Sequence, residues 1–387
     1  MAQVDGYADR RFQEVEQAFK SNFDNYGDIG AALCIYKDGV AVVDLWGGNN
    51  GDSSYGPDTL QLIFSATKGI TTTVALILAD RSELDLDIPV KEYWPEFAKA
   101  GKDRITTRWL LSHRAGLPFI DAHLDLQEVV SWDPVIEALS AQSPIWEPGT
   151  AHGYHALTFG WLVGEVLRRA SGSTVSELVS REIASPLQLD MWIGLPPSLE
   201  PRVATLLPPK IKLPENFGSS VNQLIESFLG PDSMLGKALS LSGALPLDMD
   251  EFPWNDPKLH EAQLPAASGI TNARSLAKMY AAIIGEVEGV RLISPRTMEM
   301  ARRVHSDGPD RILIVPTRFG AGYMLDSTFQ PMLTQGSFGH PGAGGSLGFA
   351  NPEAGVSFAY VMNQMQINLS GDPRTQSLLE ALHHCLS

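Results

Sequence analysis

Cysteine is scarce. The 387-residue chain has two, Cys34 and Cys385, too few for a disulfide framework, and neither stands in a C-x-x-C or other metal-type spacing. Both are expected as reduced thiols. Basic residues are also few: 29 Lys and Arg face 45 Asp and Glu, a formal net charge of −16. Such a surface repels a phosphate backbone and an anionic membrane, so no nucleic-acid or membrane partner is expected. The argument does not touch a small neutral ligand, and it leaves the oligomeric state open. No run of about 18 apolar residues occurs, and the opening MAQVDGYADRRFQEVEQAFK has no apolar h-region. A soluble, cytoplasmic protein is the expectation. His113, His123, His152 and His155 fall in no H-E-x-x-H or comparable spacing, so neither a metal nor another cofactor is expected. There is no internal repeat, charge block or low-complexity tract. What is present, 44% hydrophobic residues, is ample for one large or two ordinary domains.

Periodicity organises the chain into three parts. Phe12, Val15 and Phe19 lie at helical spacing near the start, and AALCIYKDGVAVVDLWGG reads as two strands joined at Asp38-Gly39. From about Thr71 to Ala170 the apolar spacing is helical, and LTFGWLVGEVLRRASG closes on Gly172 as a helix C-cap would. From about Pro196 to Pro265 prolines cluster and periodicity weakens, which predicts an extended loop or lid; Phe217, Phe228 and Trp254 there are expected to form an apolar pocket wall. Strand-like runs return in FGAGYML, GSLGFAN and GVSFAYVMN, the last two joined by NPEAG, before a helix through Leu378, Leu382 and Cys385. The predicted fold class is α+β: an antiparallel sheet flanked by helices, with an inserted all-helical domain. The expected boundaries are 1–75 and 265–387 for the α/β domain and 76–264 for the helical one, the Pro-rich lid region occupying about 196–264.

Two nucleophile motifs compete. Gly344, Ser346 and Gly348 spell G-x-S-x-G, the elbow of α/β-hydrolases, which requires a strand-to-helix turn followed in the chain by an acid and a histidine. Ser346 instead runs into a strand, and only His383 and His384 follow it. The expectation is a Gly-rich strand whose serine is a decoy. The rival is S-x-x-K at Ser65 and Lys68 in FSATKG. Ser275 and Lys278 match that bare pattern equally well, so context must separate them. Ser65 follows the apolar LQLIF and opens a helix, where a developing negative charge is favoured, and Lys68 lies on the same helix face. Desolvated there, a lysine amine can take a proton from serine. Ser275 has no comparable partners and is expected as an N-terminal or surface residue of an ordinary helix.

At this point the chain resembles the serine β-lactamase and penicillin-binding-protein superfamily, and within it the class C-like esterases, the family VIII carboxylesterases. LWGG, FSATKG, LLSHRAGLP, WEPGTAHGYHALTFGWLVGEV, SGITNARSLAKMY and FGHPGAGGSLGFANPE occur in the family's order. The resemblance implies that Tyr154 carries the second motif and shares a proton with Lys68. It places His340, Pro341 and Gly342 where β-lactamases have K-T-G. Gly342 would permit close approach of substrate, and Ala343 would supply one oxyanion N–H with Ser65 as the other. His113 matches a family motif and is expected to be structural.

Two departures point to a neutral ester. A histidine in place of the third-motif lysine is mostly neutral at pH 7, and Tyr154-His155-Ala156 lacks the asparagine that would hold an acylamino side chain. His340 and Gly342 are the expected substrate contacts. The expectation is a serine carboxylesterase acting on short- to medium-chain esters through an acyl-enzyme. The alternatives are a β-lactamase, D-amino-acid peptidase or transacylase on the same fold, and a non-catalytic binding or sensor protein.

Overall fold

The computed structural model describes residues 2–209, 230–245, 252–367 and 371–387. Strands β1 (Val4–Ala8), β2 (Gly30–Lys37), β3 (Val40–Asn50) and β4 (Ser53–Ser54) come from the first part of the chain. Short strands β5 (Gln61–Leu62), β6 (Met191–Ile193) and β7 (Gly269–Thr271) follow. The last part gives β8 (Ser306–Pro309), β9 (Pro316–Phe319), β10 (Met324–Leu325), β11 (Phe338–Pro341), β12 (Leu347–Asn351) and β13 (Val356–Met362). The main sheet runs β1-β3-β2-β13-β12-β11-β10-β9-β8, with β4 on β3; a second sheet runs β5-β7-β6. All of these pairings are antiparallel.

The Asp38-Gly39 turn is where the sequence puts it: both residues have positive φ, 51° and 81°, as a two-residue hairpin requires. β2 is buried on both faces, which is why AALCIYK reads as a continuous apolar run rather than an alternating one. Ala31, Leu33 and Ile35 join Phe12, Val15, Phe19 and Leu378 in one core, between the sheet and helices Gln13–Asn25 and Pro373–Leu386. Ala32, Cys34 and Tyr36 join the opposite, larger core beneath helix Ala273–Ile284.

That larger core continues into a helical layer built on Thr67–Asp80 and Thr158–Ser171, the latter closing on Gly172 at φ 71°. In Thr67–Asp80 every residue from Thr67 to Leu78 is buried, so any polar group it carries is desolvated. Where described, the Pro-rich stretch is not one extended loop. It carries the short helices Pro197–Arg202, Met234–Ser240, Pro253–Asn255 and Pro257–Glu261. Phe217 and Phe228 lie outside the described residues.

Candidate active site

Ser65 sits in a one-turn 3-10 helix, Phe64–Ala66, that leads directly into Thr67–Asp80. Phe64 has φ 44°, a left-handed backbone that a bulky residue rarely adopts, at a cost of about 1–3 kcal/mol. Three contacts hold the turn there. The Ile63 N–H donates to Gly269 O at 2.9 Å, the Gly269 N–H donates to Thr67 Oγ1 at 2.8 Å, and the Phe64 ring meets Trp254 edge-on at 4.9 Å. Trp254, expected from the sequence in the pocket wall, is instead absent from that wall and buttresses the serine turn.

Lys68 is fully buried one turn further on. Its Nζ lies 3.1 Å from Ser65 Oγ, 2.6 Å from Ala156 O and 3.0 Å from Ala266 O, with the rings of Tyr154 and Phe159 at 4.9 and 5.8 Å. No carboxylate compensates it in this set. Burial accordingly holds the amine well below the usual lysine range.

Tyr154 comes from a segment, 151–155, without regular secondary structure, just before helix Thr158–Ser171. Burial raises its phenol above the usual tyrosine range, the nearby Ser65 side chain opposes the shift, and the charge of Asp310 adds to it. The ring stacks between Phe319 at 6.2 Å and His340 at 5.9 Å. His113 packs at 5.0 Å and accepts the His155 N–H on Nδ1 at 3.1 Å. His155 in turn donates from Nδ1 to Gly153 O and accepts the Leu117 N–H on Nε2, which fixes one neutral tautomer. These histidines order the segment that carries the tyrosine.

β11 brings in the third motif. His340 is buried, its Nδ1 bonded to Pro341 O at 2.7 Å and its Nε2 without a partner. Burial first, then the nearby Lys68, push its pKa down to about 3, with the Pro341 carbonyl opposing. Gly342 approaches the serine turn so closely that a Cβ there would lie 2.1 Å from Ile63 O. The missing side chain makes room for this backbone. Ala343 follows in a turn closed by the Gly342 N–H donating to Ser346 O at 2.7 Å, and among the described residues the Ala343 N–H has no backbone acceptor.

Ser65, Tyr154, His340, Gly342 and Ala343 line one cavity of about 230 Å³, whose remaining wall includes Leu235, Leu239, Leu313, Met324 and Leu347. Leu235 and Leu239 come from the Pro196–Pro265 stretch that was expected to supply an apolar wall, whereas Leu313 comes from a hairpin that carried no such expectation.

Of the competing motifs, Ser346 lines the same cavity as Ser65 but in a different setting. Ser346 lies at the entry to β12, not before a helix, and its buried Oγ has no hydrogen-bond partner. Of the two histidines that follow it, His384 lies on the exposed side of the last helix, near Glu14. Ser275 is in the first turn of Ala273–Ile284 and is buried, not on the surface; its Oγ accepts the Asp190 N–H, while Lys278 pairs with Glu288 at 2.7 Å.

Two supporting residues escaped the sequence reading. Arg374, fully buried at the start of the last helix, donates to Gly344 O at 2.5 Å and to Gln364 O at 2.7 Å, and pairs with Asp28 and Asp372. It therefore bolts the turn that presents Ala343. Asp310 bonds the backbone of Tyr154. Neither stands in a motif that would single it out.

A serine, a buried lysine and a tyrosine gathered between a helical layer and an antiparallel sheet define the serine β-lactamase and penicillin-binding-protein class of fold. The chain belongs to the beta-lactamase family, whose model matches residues 15–383. It is 37% identical over 94% of its length to the esterase/beta-lactamase LipL of Mycobacterium tuberculosis, of which it covers 83%. Among solved structures, a family VIII carboxylesterase is 35% identical with a TM-score of 0.87, over 99% of this chain and 100% of its own. EstA of Arthrobacter nitroguajacolicus is 32% identical with a TM-score of 0.86, over 100% of this chain and 98% of its own.

Proposed function

We propose that the protein is a serine carboxylesterase that works through an acyl-enzyme on Ser65. The observation that carries this reading is the environment of Lys68. A neutral amine has two N–H donors and one lone pair. With Ala156 O and Ala266 O taking the donors, the lone pair is left for the Ser65 hydroxyl proton at 3.1 Å. Ser65 Oγ then attacks the ester carbonyl carbon as its proton passes to Lys68. The oxyanion rests on the N–H groups of Ser65 and Ala343. Tyr154 hands its phenol proton to the departing alcohol oxygen and recovers one from Lys68, and water reverses the sequence to release the acid.

An ester is favoured over a β-lactam or peptide substrate because, among the described residues, the cavity wall carries no lysine or arginine to hold a carboxylate. Its size and apolar lining suit a short to medium acyl chain. The names of LipL, which joins esterase and β-lactamase, and of the family VIII carboxylesterase agree with this reading. A charge of −16 disfavours nucleic-acid and membrane partners and is compatible with a small neutral substrate, and no described helix is long and apolar enough to cross a membrane.

Treatment with a fluorophosphonate, digestion and mass spectrometry test the assignment. The adduct is expected on the Ser65 peptide, and Ser65→Ala should abolish both labelling and ester turnover with the fold intact. An adduct on Ser346, or turnover by Ser65→Ala, would falsify it.

A further inference from the structure

Tyr154 has no helix or strand to fix it, yet its phenol must meet Ser65 and Lys68. Its backbone is held from across the site by the β8–β9 hairpin. The Tyr154 N–H donates to Asp310 Oδ1 at 3.0 Å. The same oxygen accepts the N–H groups of Ile312 at 2.8 Å and Leu313 at 2.9 Å, and Oδ2 accepts the Thr317 hydroxyl at 3.0 Å. Asp310 is 2% exposed. Two further bonds tie the same pair of segments: the Arg311 N–H donates to His152 O at 3.1 Å, and Thr317 Oγ1 lies 3.0 Å from His152 Nε2.

A carboxylate is costly to bury, and a serine or asparagine could close a hairpin turn more cheaply. Here the carboxylate has enough acceptor capacity to serve its own hairpin and to leave a bond for a residue 156 positions away. Ile312 and Leu313 pack into the apolar cluster with Trp146, Leu235 and Leu239, and Leu313 lines the cavity. One side chain thus couples the wall of the pocket to the tyrosine.

We propose that Asp310 is a positioning residue for the reaction at Ser65: its buried carboxylate sets where Tyr154 stands, and so whether the phenol can reach the departing alcohol. This rests on the reading of Tyr154 as the proton donor to the leaving group. The charge of Asp310 works in the same direction, since it adds to burial in keeping the phenol protonated.

A donor that is misplaced matters most when the leaving group needs its proton. Ethyl butyrate must expel an alkoxide, whereas p-nitrophenyl butyrate expels a stabilised phenolate that leaves unaided. The experiment compares kcat/KM on these two esters for the wild type, Tyr154→Phe, Asp310→Asn and Asp310→Ala, with thermal melting alongside. Asp310→Asn is expected to lose about 100-fold on the ethyl ester and less than about tenfold on the p-nitrophenyl ester, the pattern of Tyr154→Phe, and Asp310→Ala is expected to lose more than Asp310→Asn. Equal losses on both esters by Asp310→Asn, while Tyr154→Phe discriminates, would show that Asp310 only closes its hairpin and would overturn the inference. Equal losses by Tyr154→Phe itself would overturn the donor reading, and the inference with it. Should Asp310→Asn not fold, Thr317→Val, which frees Oδ2 and also drops the His152 contact, is compared with His152→Phe, which drops that contact alone: ester discrimination is expected to be severalfold larger in Thr317→Val, and equal discrimination in the two counts against Asp310.

Discussion

A lysine in water is protonated at neutral pH; around Lys68, three neutral oxygens and two aromatic rings replace that water. The folded-state pKa therefore lies below the unfolded one, near 10.4. Between the two values the unfolded chain binds a proton that the fold does not, so this group makes stability rise with pH over that interval. In thermal denaturation, wild type should gain on Lys68→Met as pH rises from about 7 to 10. A gap that stays constant would mean that Lys68 keeps its proton in the fold. His340 gives the opposite expectation. With its pKa near 3 it is already neutral throughout the working range, so the acid limb of the kcat/KM profile should stand at the same pH in His340→Gln as in wild type. A limb that moves would assign it to the imidazole. At this scale S-x-x-K was legible because both partners are side chains three apart on one helix face. The carbonyls of Ala156 and Ala266 were not, because a backbone oxygen leaves no mark on the residue type that carries it.

The elements that meet at Ser65 do so at near-contact distance. β11 ends on Gly342 against Ile63 O, and the turn beyond it is held by Arg374 through Gly344 O. Gly342→Ala would force these two backbones apart, at about 1–3 kcal/mol of stability and at least tenfold in kcat. Melting and steady-state kinetics together check it, and an alanine variant of unchanged kcat would show that the turn carrying Ala343 tolerates the displacement. The sequence marked the ends of elements well where one residue type suits one conformation: Asp38-Gly39 turns a hairpin and Gly172 ends a helix. It marked the Pro196–Pro265 stretch poorly, since prolines begin short helices as readily as they line loops, and Pro197, Pro253 and Pro257 do begin them. Trp254 was misjudged for a related reason. An aromatic in an unpatterned stretch carries no sign of whether it faces ligand or, as here, the strained Phe64.

Across the whole molecule the net charge of −16 gives the surface a field that small neutral molecules do not feel. Raising ionic strength from about 20 to 300 mM should leave kcat/KM for a neutral ester flat and raise it severalfold for an ester bearing a carboxylate, as the Debye length shortens. A carboxylate ester unaffected by salt would indicate that the entrance is locally screened from the acidic surface. Charge balance was readable from composition alone. Topology was readable only as strands at both ends with helices between; the pairing of Lys37 with Val356, which closes the sheet, follows from no local pattern. That pairing has a consequence for how the protein is made. On the ribosome the chain emerges with Ser65 and Lys68 early, but β2 waits for β13, and Ala343 and the Arg374 that steadies its turn come later still than most of the helical layer. Contacts so distant in sequence form slowly. Synthesis thus delivers Ser65 and Lys68 long before the turn that faces them, which is steadied only once Arg374, in the first turn of helix Pro373–Leu386, has been added.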